Sequence, residues 1–224
     1  MGVTNVPLSI LAYLTIFVKL TMRGKLADPS TALRARIVAK IGCFCYNRGV
    51  IISYLGQESF KISQGDLSLV TNPTSKLSAD ATLFTSGIAE TSDKSGFVVT
   101  GPGEYEIKDI FIKGFPIKDG DLWKTTYLIT FEGIKICLAG AISPIADIED
   151  IDILLVPVGS DPAVSYKFAV SLEPALIIPM HSDDKSLAQF VKEGGDKVDP
   201  LDKLVVKKKD LDGKKGEIVV LKKE

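Results

Sequence analysis

From residue 50 onward the chain is built of short apolar runs with alternating polar positions, each about the length of a β-strand. Residues 50–54 are apolar and β-branched. Residues 60–62 and 67–70 flank Gln64-Gly65-Asp66, and that pattern predicts a hairpin. Residues 81–85 predict a short strand, and 97–100 run into the turn composition Gly101-Pro102-Gly103. Two more hairpins are expected, one joining 105–107 to 110–113 and one joining 126–131 to 134–139 across Glu132-Gly133. Beyond residue 150 the texture changes. Residues 151–156 and 175–178 are almost continuously apolar, as in strands covered on both faces, and end at Pro157 and Pro179. Between them Val164, Phe168, Ala169 and Leu172 lie at helical spacing. Strand, helix and strand together predict a βαβ crossover with parallel strands. A second helix is expected over 186–192, stopped by Gly194-Gly195. Residues 204–207 and 217–221, around Asp212-Gly213, predict a lysine-rich terminal β-hairpin. Hairpins first and βαβ afterwards suit an α/β sandwich of two packed sheets with helices outside.

Residues 1–49 lack this rhythm and are set apart as an N-terminal extension, poorly structured or forming a short apolar helix, with the main domain at 50–224. Residues 6–18 are uncharged and apolar but shorter than the ~20 residues of a spanning helix. No positive charge precedes them and no small-residue cleavage site follows, which argues against a signal peptide. Two readings stand side by side: an upstream extension foreign to the domain, and a membrane anchor with Arg23, Lys25, Arg34, Arg36 and Lys40 as its basic flank.

Composition narrows the function classes. Apolar residues make up 46% and charged residues 25%, enough for a sizeable core. The net charge of −1 gives no overall bias toward nucleic acid or an anionic membrane. Three cysteines form no disulfide framework, so a reducing, cytoplasmic compartment is expected. Cys43-x-Cys45 has no partner pair at zinc spacing, and Cys137 lies in an apolar run as a buried thiol. The chain has a single histidine, His181. Neither Ser86 nor Ser165 sits in a nucleophile elbow, and Gly101-Pro102-Gly103-Glu104 matches no phosphate-binding spacing. The C-terminal lysines could hold a polyanion, but no aromatic platform accompanies them, and protection of an exposed strand edge is the favoured reading.

Five segments, in order, carry a resemblance to a known family. They are 52–60 (ISYLGQESF), 80–85 (DATLFT), 137–140 (CLAG), 151–159 (IDILLVPVG) and 177–181 (IIPMH). Together they resemble the metallo-β-lactamase superfamily, most closely the branch of L-ascorbate 6-phosphate lactonase. The resemblance implies an αββα sandwich of two mixed sheets flanked by helices, and a zinc site in a loop His-x-His-x-Asp-His after the strand ending in threonine. Here Thr85 matches that threonine, and Ser86, Ile88, Glu90 and Thr91 stand at the ligand positions. Gln57 replaces another family histidine, and Ala141 replaces the aspartate of a Gly-Asp step. A further histidine expected near 116–118 is missing, and His181 alone is retained. A catalytic zinc typically takes three protein ligands plus water. The resemblance with these departures therefore implies a degenerate member with no zinc cofactor and no zinc hydrolase activity, acting as a binding or structural protein. Two alternatives remain. One is a metal-dependent hydrolase of lactone, ester or phosphodiester bonds with an altered ligand set. Glu58, Glu90, Asp93 and Asp183 near the mouth would suit magnesium or calcium. The other is a nucleic-acid-associated protein using the basic hairpin. No partner is legible; self-association is left open, nucleic acid is not expected, and a membrane is expected only if residues 6–18 anchor the chain.

Overall fold

The computed structural model describes residues 49–87, 96–144, 148–181, 183–195 and 198–224. The readings placed on residues 1–48, and on Ile88, Glu90, Thr91 and Asp93, lie outside the described residues.

Two mixed sheets lie face to face. The first holds β1 (Val50–Gly56), β2 (Ser59–Gln64), β3 (Leu67–Thr71), β4 (Ala81–Leu83), β5 (Phe97–Val99) and β12 (Leu204–Val206), in the order β12-β1-β2-β3-β4-β5. The second holds β6 (Gly103–Ile107), β7 (Ile110–Asp119), β8 (Leu122–Phe131), β9 (Ile134–Leu138), β10 (Ile153–Pro157), β11 (Leu176–Met180) and β13 (Glu217–Ile218), in the order β13-β11-β10-β9-β8-β7-β6. The three expected hairpins are present: β2/β3, β6/β7 and β8/β9 are antiparallel, with ladders closing at Gln64–Leu67, Ile107–Ile110 and Phe131–Ile134. The expected crossover is present too, since β10 and β11 are parallel and joined through α1 (Pro162–Ser171). α2 (Asp184–Glu193) follows β11.

The alternation within each strand decides which core it feeds. Ile52, Phe60, Ile62 and Leu69 of the first sheet meet Ile112, Ile129, Phe131 and Ile136 of the second in one buried cluster. β10 serves two cores: Ile153 and Leu155 face that cluster, while Leu154 and Val156 face Phe168 and Ala169 of α1 and Phe190 of α2. That is why β10 reads as continuously apolar. Each such large side chain contributes about 1.5–3 kcal/mol when fully buried. Asp161 starts α1 by accepting from the backbone N–H groups of Ala163 (3.1 Å) and Val164 (3.3 Å), with Pro162 at the first helical position.

Three expectations need correction. The hairpin-rich first part of the chain is not wholly antiparallel: β3, β4 and β5 run parallel to one another. The lysine-rich terminal hairpin does not exist. β12 pairs antiparallel with β1, and β13 pairs parallel with β11, so the two strands finish opposite sheets. Leu211, buried in the turn between them, holds that crossing to the core. The third difference is an addition. β7 and β8 continue past the expected limits into a ladder ending at Asp119–Leu122. Pro116 is tolerated there because β6 pairs with β7 only as far as Gly114, which leaves that side of β7 as an edge.

Candidate active-site cleft

A cleft of about 500 Å³ opens at one end of the sandwich. The second sheet supplies one wall from the carboxyl ends of its parallel strands: Gly140 and Ala141 after β9, Val158 and Gly159 after β10, Met180 and His181 at the end of β11. Such strand ends are where open α/β sheets gather ligands. The first sheet supplies Gln57 and Glu58 from the β1–β2 turn and Asn72 after β3. Asp119 and Lys124, near the β7–β8 turn, complete it.

Local backbone demands fix these positions. Gln57 and Asn72 hold left-handed conformations, φ 55° and 39°, which non-glycine residues adopt rarely. Asn72 is held by its own side chain: Oδ1 accepts from the Thr85 N–H (2.9 Å) and Oγ1 (3.2 Å). Its Nδ2 lies 3.5 Å from the Glu58 carboxylate. Thr85, buried, thus ties β4 to β3, and its carbonyl accepts from the Thr125 N–H (2.8 Å), reaching the second sheet. Gly140 donates to Thr126 Oγ1 (3.0 Å). A Cβ on Gly140 would lie 2.5 Å from the Thr125 carbonyl oxygen, so only glycine lets β9 end this close to β8. Ser165 is fully buried in α1, where its Oγ accepts from the Gly159 N–H (3.2 Å) and donates to the Asp161 carbonyl (3.3 Å). It positions the cleft wall and is no nucleophile.

His181 is half-buried, with Nδ1 3.5 Å from the Pro179 carbonyl. Tyr54 crosses from the first sheet to donate its hydroxyl to the His181 carbonyl at 2.6 Å, and the two rings lie 5.0 Å apart. Burial pushes the Tyr54 phenol upward, so it stays a neutral donor at ordinary pH. Lys124 forms an ion pair with Asp119 at 2.7 Å.

The structure brings together Gln57, Ala141 and His181 of the expected site, together with Glu58. Ser86 is exposed and does not line the cleft. Asp183, placed near the mouth from sequence, caps α2 instead. It accepts from the Ser186 N–H and Oγ, both at 2.8 Å, and these bonds hold its carboxyl below the usual range. Sequence reasoning missed Asn72, Asp119 and Lys124. The turn signal Asp119-Gly120-Asp121 was available for the last two, but not their proximity to β9.

The sequence profile described as "Beta-lactamase superfamily domain" matches residues 51–181, more than half of the chain. The chain belongs to this superfamily. Its sandwich is the metallo-β-lactamase fold. A candidate Zn-dependent hydrolase of the metallo-β-lactamase superfamily from Thermotoga maritima is 25% identical with TM-score 0.67, over 78% of this chain and 100% of that one. A candidate metal-dependent hydrolase from Parabacteroides distasonis is 18% identical with TM-score 0.57, over 77% and 94%. A metallo hydrolase from the archaeon Ignicoccus hospitalis is 14% identical with TM-score 0.54, over 70% and 98%. No curated protein matches the sequence.

The superfamily implies zinc, and the described donors do not fit it. His181 is one ligand where three are typical. Ala141 presents a methyl group to the cleft, and the Lys124 ammonium stands beside Asp119, where it repels a dication. No group of three or more His, Cys, Asp or Glu that could hold a metal occurs among the described residues. Among those residues, too, no helix is long and apolar enough to cross a membrane. Cys137 is fully buried inside β9, and burial pushes its thiol to about 12, as expected of an inert thiol. The C-terminal lysines are partly committed to ion pairs: Lys208 with the buried Asp152 (2.6 Å), Lys222 with Asp202 (3.0 Å), and Lys214 with Glu217.

Proposed function

We propose that this superfamily member is a pseudoenzyme that binds a small molecule in its cleft and does not carry out zinc-dependent hydrolysis. The observation that carries this reading is the cleft's chemistry. Among the described residues it offers one imidazole, an alanine where the resemblance implies an aspartate, and a lysine–aspartate ion pair. Water must be sharpened toward a pKa near 7 by a metal held with an open coordination position. His181 is the chain's single imidazole, so a metal site here would draw its other ligands mostly from carboxylates, a set that suits magnesium or calcium better than zinc. The cleft's volume of about 500 Å³ lies in the range of small-molecule sites. A cytoplasmic setting accords with the absence of a disulfide framework in the sequence.

The test is elemental analysis of untagged protein purified without chelator, paired with turnover assays on lactone, ester and phosphodiester substrates. Less than one-tenth equivalent of zinc, manganese or iron and no turnover above buffer are expected. Stoichiometric metal with turnover lost in His181→Ala overturns the reading and favours an altered-ligand hydrolase.

A further inference from the structure

The charges in the cleft are divided between its walls in a way that specifies a ligand. Glu58 stands on the first-sheet wall, and among the described residues no cation pairs with it; its neighbour is the amide of Asn72 at 3.5 Å. Lys124 stands on the second-sheet side, paired with Asp119 at 2.7 Å and with its side chain only 22% exposed. An ammonium has three donor hydrogens, so the bond to Asp119 leaves two for a ligand oxygen. The β7–β8 register explains why the two groups point the same way. Asp119 faces Leu122 and Ile117 faces Lys124 across the ladder, which places all four on one face of the hairpin. Lys118 and Trp123 take the other face. Ile142, Val158 and Met180 add apolar surface to the same cleft.

A simple anion fits poorly, because among the described lining residues two carboxylates outnumber one ammonium. A simple cation leaves the ammonium hydrogens unused. We infer that the cleft is a receptor for a small zwitterion with an apolar body, of amino-acid to dipeptide size. Its ammonium meets Glu58, and its carboxylate meets Lys124. This inference rests on the proposed binding role of the cleft and adds the ligand class.

Calorimetry on the chelator-treated full chain tests it with three probes sharing one body: L-leucylglycine, N-acetyl-L-leucylglycine and L-leucylglycinamide. Leucylglycine should bind at least about tenfold more tightly than either singly charged analogue, the ratio that one charge-assisted contact supplies. Glu58→Gln should weaken leucylglycine and the amide but leave the acetylated probe unchanged. Lys124→Gln should weaken leucylglycine and the acetylated probe but not the amide, and Lys124→Arg should restore part of the loss. Melting curves of the unliganded variants confirm folding. Equal binding of all three probes, or no binding up to about 10 mM, overturns the inference. If zinc is also absent from the purified protein, only the ligand class fails and the non-hydrolytic reading stands. Stoichiometric zinc with cleavage of a probe would instead remove the earlier reading.

Discussion

Tyr54 couples the two sheets at the mouth of the cleft, and removing its hydroxyl gives a measurable prediction. The residue is 3% exposed, and its Oη donates at 2.6 Å to the carbonyl of His181, far away in sequence. Tyr54→Phe deletes that donor while keeping the ring against Phe60 and His181, each 5.0 Å away. The carbonyl is only part-buried, so water replaces some of the lost bond. The expected loss is therefore about 1 kcal/mol, within the usual range for one hydrogen bond. For a chain of this length that is a fall of about 2–4 °C in melting temperature. Tyr54→Ala also removes the buried ring and should lose about 3–5 kcal/mol. Differential scanning calorimetry reads both. Because His181 is the chain's single histidine, the protein gives one imidazole signal by NMR, free of overlap. That signal should move in Tyr54→Phe as the His181 backbone relaxes, and further in Tyr54→Ala as the ring current disappears. A Tyr54→Phe protein with wild-type melting and an unmoved imidazole signal would refute the claim that this bond organises the cleft.

Two further outcomes follow from named contacts. Gly140→Ala forces a Cβ to within 2.5 Å of the Thr125 carbonyl, so β9 must move away from β8. A loss of about 1–3 kcal/mol is expected from the overpacking, whereas Gly101→Ala, with nothing within 4 Å, should melt like wild type. Asp80 accepts from the Ser68 N–H and Oγ and pairs with Lys108, and the Lys108 hydrogen bond first, then Ser68, holds its carboxyl below the usual range. A depressed folded value means that the stabilisation is fully present above the unfolded value of about 3.9 and is lost as pH falls through the folded one. Urea melts of wild type and Asp80→Asn should differ at pH 7 and converge below about pH 4; a gap that stays constant across that window would show that the carboxylate's charge is irrelevant.

Local pattern settled much of this protein. The hairpins at β2/β3, β6/β7 and β8/β9 are governed by turn residues a few positions apart and by alternation along each strand. Those signals are contained in windows that a linear reading inspects. The same holds for β10, α1 and β11, where unbroken apolar runs on either side of a helical period leave few arrangements other than a crossover. The buried thiol of Cys137 was equally legible, since its neighbours on both sides are apolar.

Pairing between distant segments was another matter. Lysine-flanked strands at 204–206 and 217–218 look like two arms of one hairpin, yet each is claimed by a different sheet edge whose unpaired N–H and C=O groups lie far away in sequence. Backbone hydrogen bonding has no sequence code, so the nearest turn signal misleads wherever a remote edge offers a better ladder. The cleft was divided in the same way. Gln57, Ala141 and His181 could be named from matched segments, because each follows a strand end with recognisable flanks. Asn72, Asp119 and Lys124 could not, because their place in the cleft comes from how far β7 and β8 extend and from how the two sheets stack. Which atoms a cation faces is set by that stacking, and the linear order of residues is silent on it.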